Sequence, residues 1–168
     1  MKSSAVFAIT DEVEDPADRP RRLSWELHPT PTLDPMIGGL SSAAFAQPGM
    51  PTWLNATISK LEELLGLASG WDGHDGSAAN PDIVNFTIHF LLETLDPAAP
   101  APNIVPLSSG GVQLEWHDHY VDLEIEIEAP NRLFASFENY DQPNQSFERP
   151  FGVDYTQLAK AMKSIASR

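Results

Sequence analysis

The chain contains no cysteine. That excludes disulfides, a thiolate nucleophile and any zinc site built on thiolates, so the fold must hold by packing alone. Basic residues are scarce: Lys and Arg total 10 against 24 Asp and Glu, for a net charge of −14. Affinity for nucleic-acid phosphates comes largely from Lys and Arg displacing counterions, so direct binding to DNA or RNA is not expected. No apolar run approaches the roughly 20 residues of a membrane span. At the N-terminus "MKSSAVFAIT" gives way at once to "DEVEDPAD", too short an apolar core for a secretory signal. A cytoplasmic protein is therefore the expectation. Also missing are a Gly-x-Ser-x-Gly elbow, a phosphate-binding glycine loop, an HExxH pair and an EF-hand loop. Catalysis has little to stand on, and no cofactor is implied.

What is present is enough for one domain with a core, since 42% of the 168 residues are apolar. Residues 1 to about 50 differ from the rest. Acids cluster from Asp11 to Asp18, Arg19, Arg21 and Arg22 follow, and "LHPTPTLDP" and "GGLSSAAFAQPG" break any long helix or strand. We read this region as a Pro/Ser-rich, partly extended arm and residues 51–168 as a single α+β domain.

Two helices open that domain. From about Pro51 to Leu67, Leu54, Ile58, Leu61 and Leu65 share one face. "ASGWDGHDGSAAN" then breaks the pattern. Asn80 as N-cap and Pro81 at the first helical position start a second helix, with Val84, Ile88, Leu91 and Leu95 inward and Ile83, Phe86 and Phe90 widening the stripe. After "DPAAPAP", "NIVPL" predicts a short edge strand because Pro106 lacks a ladder donor. "GGVQLEWHDHYVDLEIEIEA" alternates through two strands. With "HDHY" as a four-residue loop, Trp116 faces Val121, Leu114 faces Leu123 and Val112 faces Ile125. "RLFASFENY" supplies another strand, "DQPNQSFERPFG" reads as loop, and a last helix runs from Asp154 to Ile165. The expected fold is α+β: an antiparallel sheet of three to five strands, two helices before it and one after, packed mainly on one face.

The other face of the hairpin carries Gln113, Glu115, Asp122, Glu124, Glu126 and Glu128. In the register above, Glu115 lies across from Asp122. Like charges placed opposite one another cost up to about 1 kcal/mol, so folding gains nothing from the stripe. One reading is a solvated face that discourages edge-to-edge aggregation. The other is a surface for a basic protein partner, with long-range attraction speeding the encounter.

His74 and Asp75 in "GWDGHDG", with His117 and His119 in "WHDH", form a second candidate site, a divalent-metal cluster for a hydrolase. It requires the turn and the hairpin loop to meet in space. The simpler reading makes Trp71, Asp72, Gly73 and Gly76 a structural turn: glycines for the backbone, Asp72 bonding nearby amides, Trp71 as a lid on the core.

The succession "SGWDGHDGSAANPDIV", "PAPNIVPLSSGGVQLEWHD" and "DLEIEIEAP" resembles a set of small bacterial proteins that join a GWDG-type turn to a GGxxxEW…LEIE hairpin. The likeness covers about residues 60–130. It implies a shared fold unit, and in some members a role as a small partner in mobile or host-conflict gene pairs. Where this chain has His74, that group usually has an aromatic or acidic residue. The expectation drawn from charge and resemblance is an acidic, non-enzymatic interaction protein: antitoxin-, immunity- or inhibitor-like, or an accessory subunit of a defence complex. A nucleic-acid mimic is a variant of it, and self-association is left open.

Overall fold

A computed structural model describes residues 49–166. The arm expected over residues 1–50 therefore lies almost wholly outside the described residues. The described chain is an α+β fold: helix α1 (Leu54–Leu65), helix α2 (Pro81–Thr94), strands β1 (Asn103–Pro106), β2 (Val112–His117), β3 (Val121–Ala129), β4 (Arg132–Asn139) and β5 (Phe147–Phe151), then helix α3 (Thr156–Ala166). The strands form one antiparallel meander in the order β1-β2-β3-β4-β5.

Each helix forms where its apolar spacing and start signals place it. In α1, Leu54, Ile58 and Leu61 are buried; Leu64 takes the last core position, and Leu65 is only partly covered. Just ahead of α1, Trp53 is 1% exposed and its indole donates to the Asp96 carbonyl at 2.9 Å. Thr52 N–H reaches the Pro97 carbonyl at 2.9 Å, so the start of α1 is tied to the segment that leads into β1. At Asn80 the side chain accepts from Asp82 N–H, capping α2. The α2 core face includes Phe86, Phe90 and Leu91, and buried Thr87 and Thr94 satisfy their hydroxyls on carbonyls four residues back. Asp154 accepts from Thr156 N–H at the start of α3, which holds its carboxyl below the usual range.

All three helices contact the same layer of strands: α1 meets β1, α2 meets β2 and β3, and α3 meets β3. The inward row of the central strands is apolar, with Leu114, Leu123, Ile125, Ile127 and Ala135 fully buried. Phe90 of α2 meets Tyr155, the residue just ahead of α3, edge-on at 5.4 Å. No helix of the described residues is long and apolar enough to cross a membrane.

Three details differ from the sequence expectation. The hairpin register is displaced by two residues, with Trp116 opposite Leu123, Leu114 opposite Ile125 and Val112 opposite Ile127. The cause is a shorter loop. Asp118 N–H bonds the Val121 carbonyl at 3.0 Å, and the Asp118 carboxylate accepts from Tyr120 and Val121 N–H. That leaves only His119 and Tyr120 at the tip and draws His117 into β2. A two-residue shift preserves the faces, so alternation could not detect it. Second, "FERPF" is a strand: Phe147 and Phe151 face inward opposite Phe137 and Leu133. Pro150 disguised it, and an edge position tolerates Pro. Third, Trp71 is half-buried and stands outside the core cluster, so it is not a lid on the core.

Candidate functional site: the acidic outer face of the sheet

Antiparallel pairing decides which side chains share the outer face. Glu115 stands directly opposite Glu124, Gln113 opposite Glu126, and His117 opposite Asp122. Across β3, Asp122 faces Glu138, Glu124 faces Ser136 and Glu126 faces Phe134. Across β4, Ser136 faces Glu148 and Phe134 faces Pro150. The acid stripe therefore extends over four strands, with Glu138 and Glu148 added to the hairpin residues. Periodicity in β4 could have shown Glu138; Glu148 required recognising β5.

The carboxylates differ in how they are held. Glu115 receives the Asn103 amide at 2.7 Å and the Gln113 amide at 2.9 Å, while His117 Nε2 lies 3.8 Å away. Its side chain is only 18% exposed. Asp122 lies 3.2 Å from His117 Nδ1 and accepts the Tyr140 hydroxyl. That acceptor, helped by partial desolvation and the nearby negative charge, pushes Tyr140 up to about 12. Glu124 and Glu126 are half-buried between their cross-strand neighbours.

No described lysine or arginine pairs with Glu115, Asp122, Glu124 or Glu126. Lys60 is bound to Glu63 on α1. Arg149 points inward from β5, over the Phe151 ring at 4.7 Å and onto Gln157. Arg132 pairs with Glu128 at 3.2 Å. Glu128 itself occupies the irregularity between Ile127 and Ala129, so it stands off the stripe that the sequence reading assigned it to. Beside the acids, Phe134 is 37% exposed, with Pro150 as its open neighbour.

The GWDG turn is self-contained. Asp72 Oδ1 accepts from His74 N–H at 2.9 Å and from Gly76 N–H at 3.1 Å, and these two bonds hold its carboxyl below the usual range. Gly70 and Gly73 both have φ near +79°, where a side chain would be strained. A Cβ on Gly76 would sit 2.8 Å from the Asp72 carboxylate. Trp71 Nε1 closes the turn on the Ser77 carbonyl at 3.0 Å.

From there the chain is stitched to the loop ahead of β2, through Ser77 N–H on Ser108 and Asn80 N–H on the Gly110 carbonyl. A Cβ on Gly110 would meet the Ala78 carbonyl at 2.7 Å, and one on Gly111 the Ile127 carbonyl at 2.6 Å. The turn, the GG pair and the LEIE strand are thus one interlocked unit. That is a physical reason for the three motifs to occur together.

The same stitching separates the candidate metal ligands. The turn bearing His74 and Asp75 docks before Val112, whereas His117 and His119 lie at the far end of β2. Six strand residues span about 20 Å. Among the described residues no group of three or more His, Asp or Glu side chains could hold a metal ion. His117 instead borders the acid stripe, and His119 tilts against Tyr120 at 6.5 Å.

Comparisons of the chain with family models, with curated proteins and with solved structures found no match.

Proposed function

We propose that this protein is a non-enzymatic interaction module whose outer sheet face binds a basic protein partner. The observation that carries the reading is the Glu115–Glu124 pair, set side by side with Asp122 and Glu126 on an open face that no described lysine or arginine neutralises. A stripe that costs the isolated fold stability is compensated when cations dock on it. Phe134 and Pro150 add an apolar anchor beside the charges, the combination of central contact and polar rim found in interfaces. Within this class, the resemblance of the turn and hairpin favours an antitoxin-, immunity- or inhibitor-like partner, or an accessory subunit of a bacterial defence complex.

The test is parallel capture on wild-type protein and on a Glu124→Lys/Glu126→Lys variant. The reading expects a basic protein retained by wild type at low ionic strength, released as salt shortens the screening length, and absent from the variant. Equal retention by both baits, or no retained protein at low salt, counts against it.

A further inference from the structure

On the helix-bearing side of the sheet, α3 packs on α2 and β3 and leaves an open-sided cleft of about 280 Å³ beside β5. Its floor is the Phe137–Phe147 cross-strand pair, with ring centroids 5.5 Å apart, together with Ala161 of α3. Phe137 is buried while Phe147 is only partly covered, so an aromatic surface is presented to the opening. Gln157, Lys160 and Ser164 recur at helical spacing along α3 and form one wall. Gln145, the last residue of the single 3₁₀ turn Pro143–Gln145, stands on the other.

The polar groups on the rim differ in what they can offer. Lys160 is exposed and, among the described residues, has no ion pair, whereas Lys60 and Arg132 are taken by Glu63 and Glu128. The Gln157 side-chain oxygen accepts from Arg149 at 3.1 Å, which leaves its amide NH₂ as the group turned to other partners. An ammonium and an amide donor one turn apart, above an aromatic floor, suit a flat apolar body that ends in an anion. We propose that this cleft binds a small aromatic carboxylate, its ring against Phe147 and its carboxylate on Lys160 and the Gln157 amide.

Size and charge narrow the class. The cleft holds about nine water volumes, room for one ring and a short acid arm but too little for a nucleotide. The acid stripe lies on the opposite face of the sheet, and at 0.15 M salt a screening length of about 8 Å weakens its repulsion. A single exposed cation contributes little by itself, so burial of the ring must supply most of the affinity. The site is separate from the acidic outer face, and neither reading depends on the other.

The test is a titration of the full, isotope-enriched chain with phenylacetate, followed by amide shifts. The proposal expects saturable shifts at Gln145, Phe147, Lys160, Ala161 and Ser164, with a Kd on the order of a millimolar. Acetate, which has the charge without the ring, should give no saturable shift. Phenylacetamide, which has the ring without the charge, should bind roughly fivefold more weakly. Lys160→Met keeps the aliphatic stem and should lose a similar roughly fivefold, whereas Lys163→Met, outside the cleft, should stay within about twofold of wild type.

The absence of saturable shifts up to about 20 mM phenylacetate overturns the proposal. So do shifts confined to the outer face, phenylacetamide binding as tightly as phenylacetate, or equal affinities in the two lysine variants. If Lys160→Met does not fold, the comparison of the three compounds on wild-type protein decides alone.

Discussion

Glu115 and Glu124 face each other across β2 and β3, and only Glu115 has amide donors from Asn103 and Gln113 to steady it. Glu124 is the less supported member of the pair, so neutralising it should relieve the repulsion at little structural cost. Glu124→Gln is expected to raise unfolding stability by roughly 0.2–1 kcal/mol at low salt, with the gain shrinking as salt is added. Denaturant midpoints at two ionic strengths check this. The same substitution should weaken partner capture, and a variant that becomes more stable while binding less well is the signature of a surface kept for another molecule.

The interlocked turn and hairpin give a steric prediction. Gly111→Ala puts a methyl group 2.6 Å from the Ile127 carbonyl, at the end of the β2–β3 ladder where Val112 pairs with Ile127. A destabilisation of about 1–3 kcal/mol is expected, as for overpacking in a tight interior. Gly73→Ala meets nothing within 4 Å and carries only the cost of its positive φ, roughly 1–2 kcal/mol. Gly110→Ala combines both penalties and should be the worst of the three. Thermal or denaturant unfolding of the three variants ranks them.

At Asp72 the prediction concerns acid. Its carboxylate accepts two amides in the folded turn, which lowers its folded pKa below the ordinary 3.8. A depressed carboxyl contributes stability that is fully present above the unfolded value and is lost as pH falls through the folded one. Protection of the His74 and Gly76 N–H groups, each exchange rate taken relative to the intrinsic rate of an open amide at the same pH, should therefore hold above about pH 4 and fall below it. In Asp72→Ala both amides should lack that protection at every pH, with the core strands unaffected.

Tyr140 behaves in the opposite sense. Its hydroxyl donates to Asp122, and its pKa stands at about 12 against an ordinary 10.0. A raised folded pKa contributes stability that is complete below 10 and lost as pH rises through 12. Asp122→Asn removes the charge and should return the Tyr140 titration toward 10.0, read by tyrosinate absorbance with Tyr140→Phe identifying the signal.

Much of this molecule was legible because side-chain period is a strong physical constraint. Leu54, Ile58 and Leu61 marked α1, Asn80-Pro81 marked the start of α2, and the alternation from Val112 to Ile127 separated the core face from the acid face. What period does not constrain was misread. Registers two residues apart have the same inside and outside, and only the Asp118 carboxylate gripping Tyr120 and Val121 N–H selects between them.

Strand β5 hid behind Pro150 and Arg149, and with it went Glu148 of the candidate site. Glu128 looked like the next acid of the stripe until the irregularity after Ile127 turned it toward Arg132. Trp53 falls outside the Leu54, Ile58, Leu61 stripe, and its anchoring bond to the Asp96 carbonyl is a long-range contact that the helical period does not encode. The separation of His74 from His117 depends on which end of β2 the GWDG turn docks against, a long-range contact that no local pattern encodes.

The most direct test of the central claim is an amide chemical-shift footprint of the captured basic partner on the full chain. The account predicts that the perturbed amides are those of Glu115, Asp122, Glu124, Glu126 and Phe134, on one open face of the sheet. A footprint on α1, α2 or α3, with those strand residues unmoved, would contradict it.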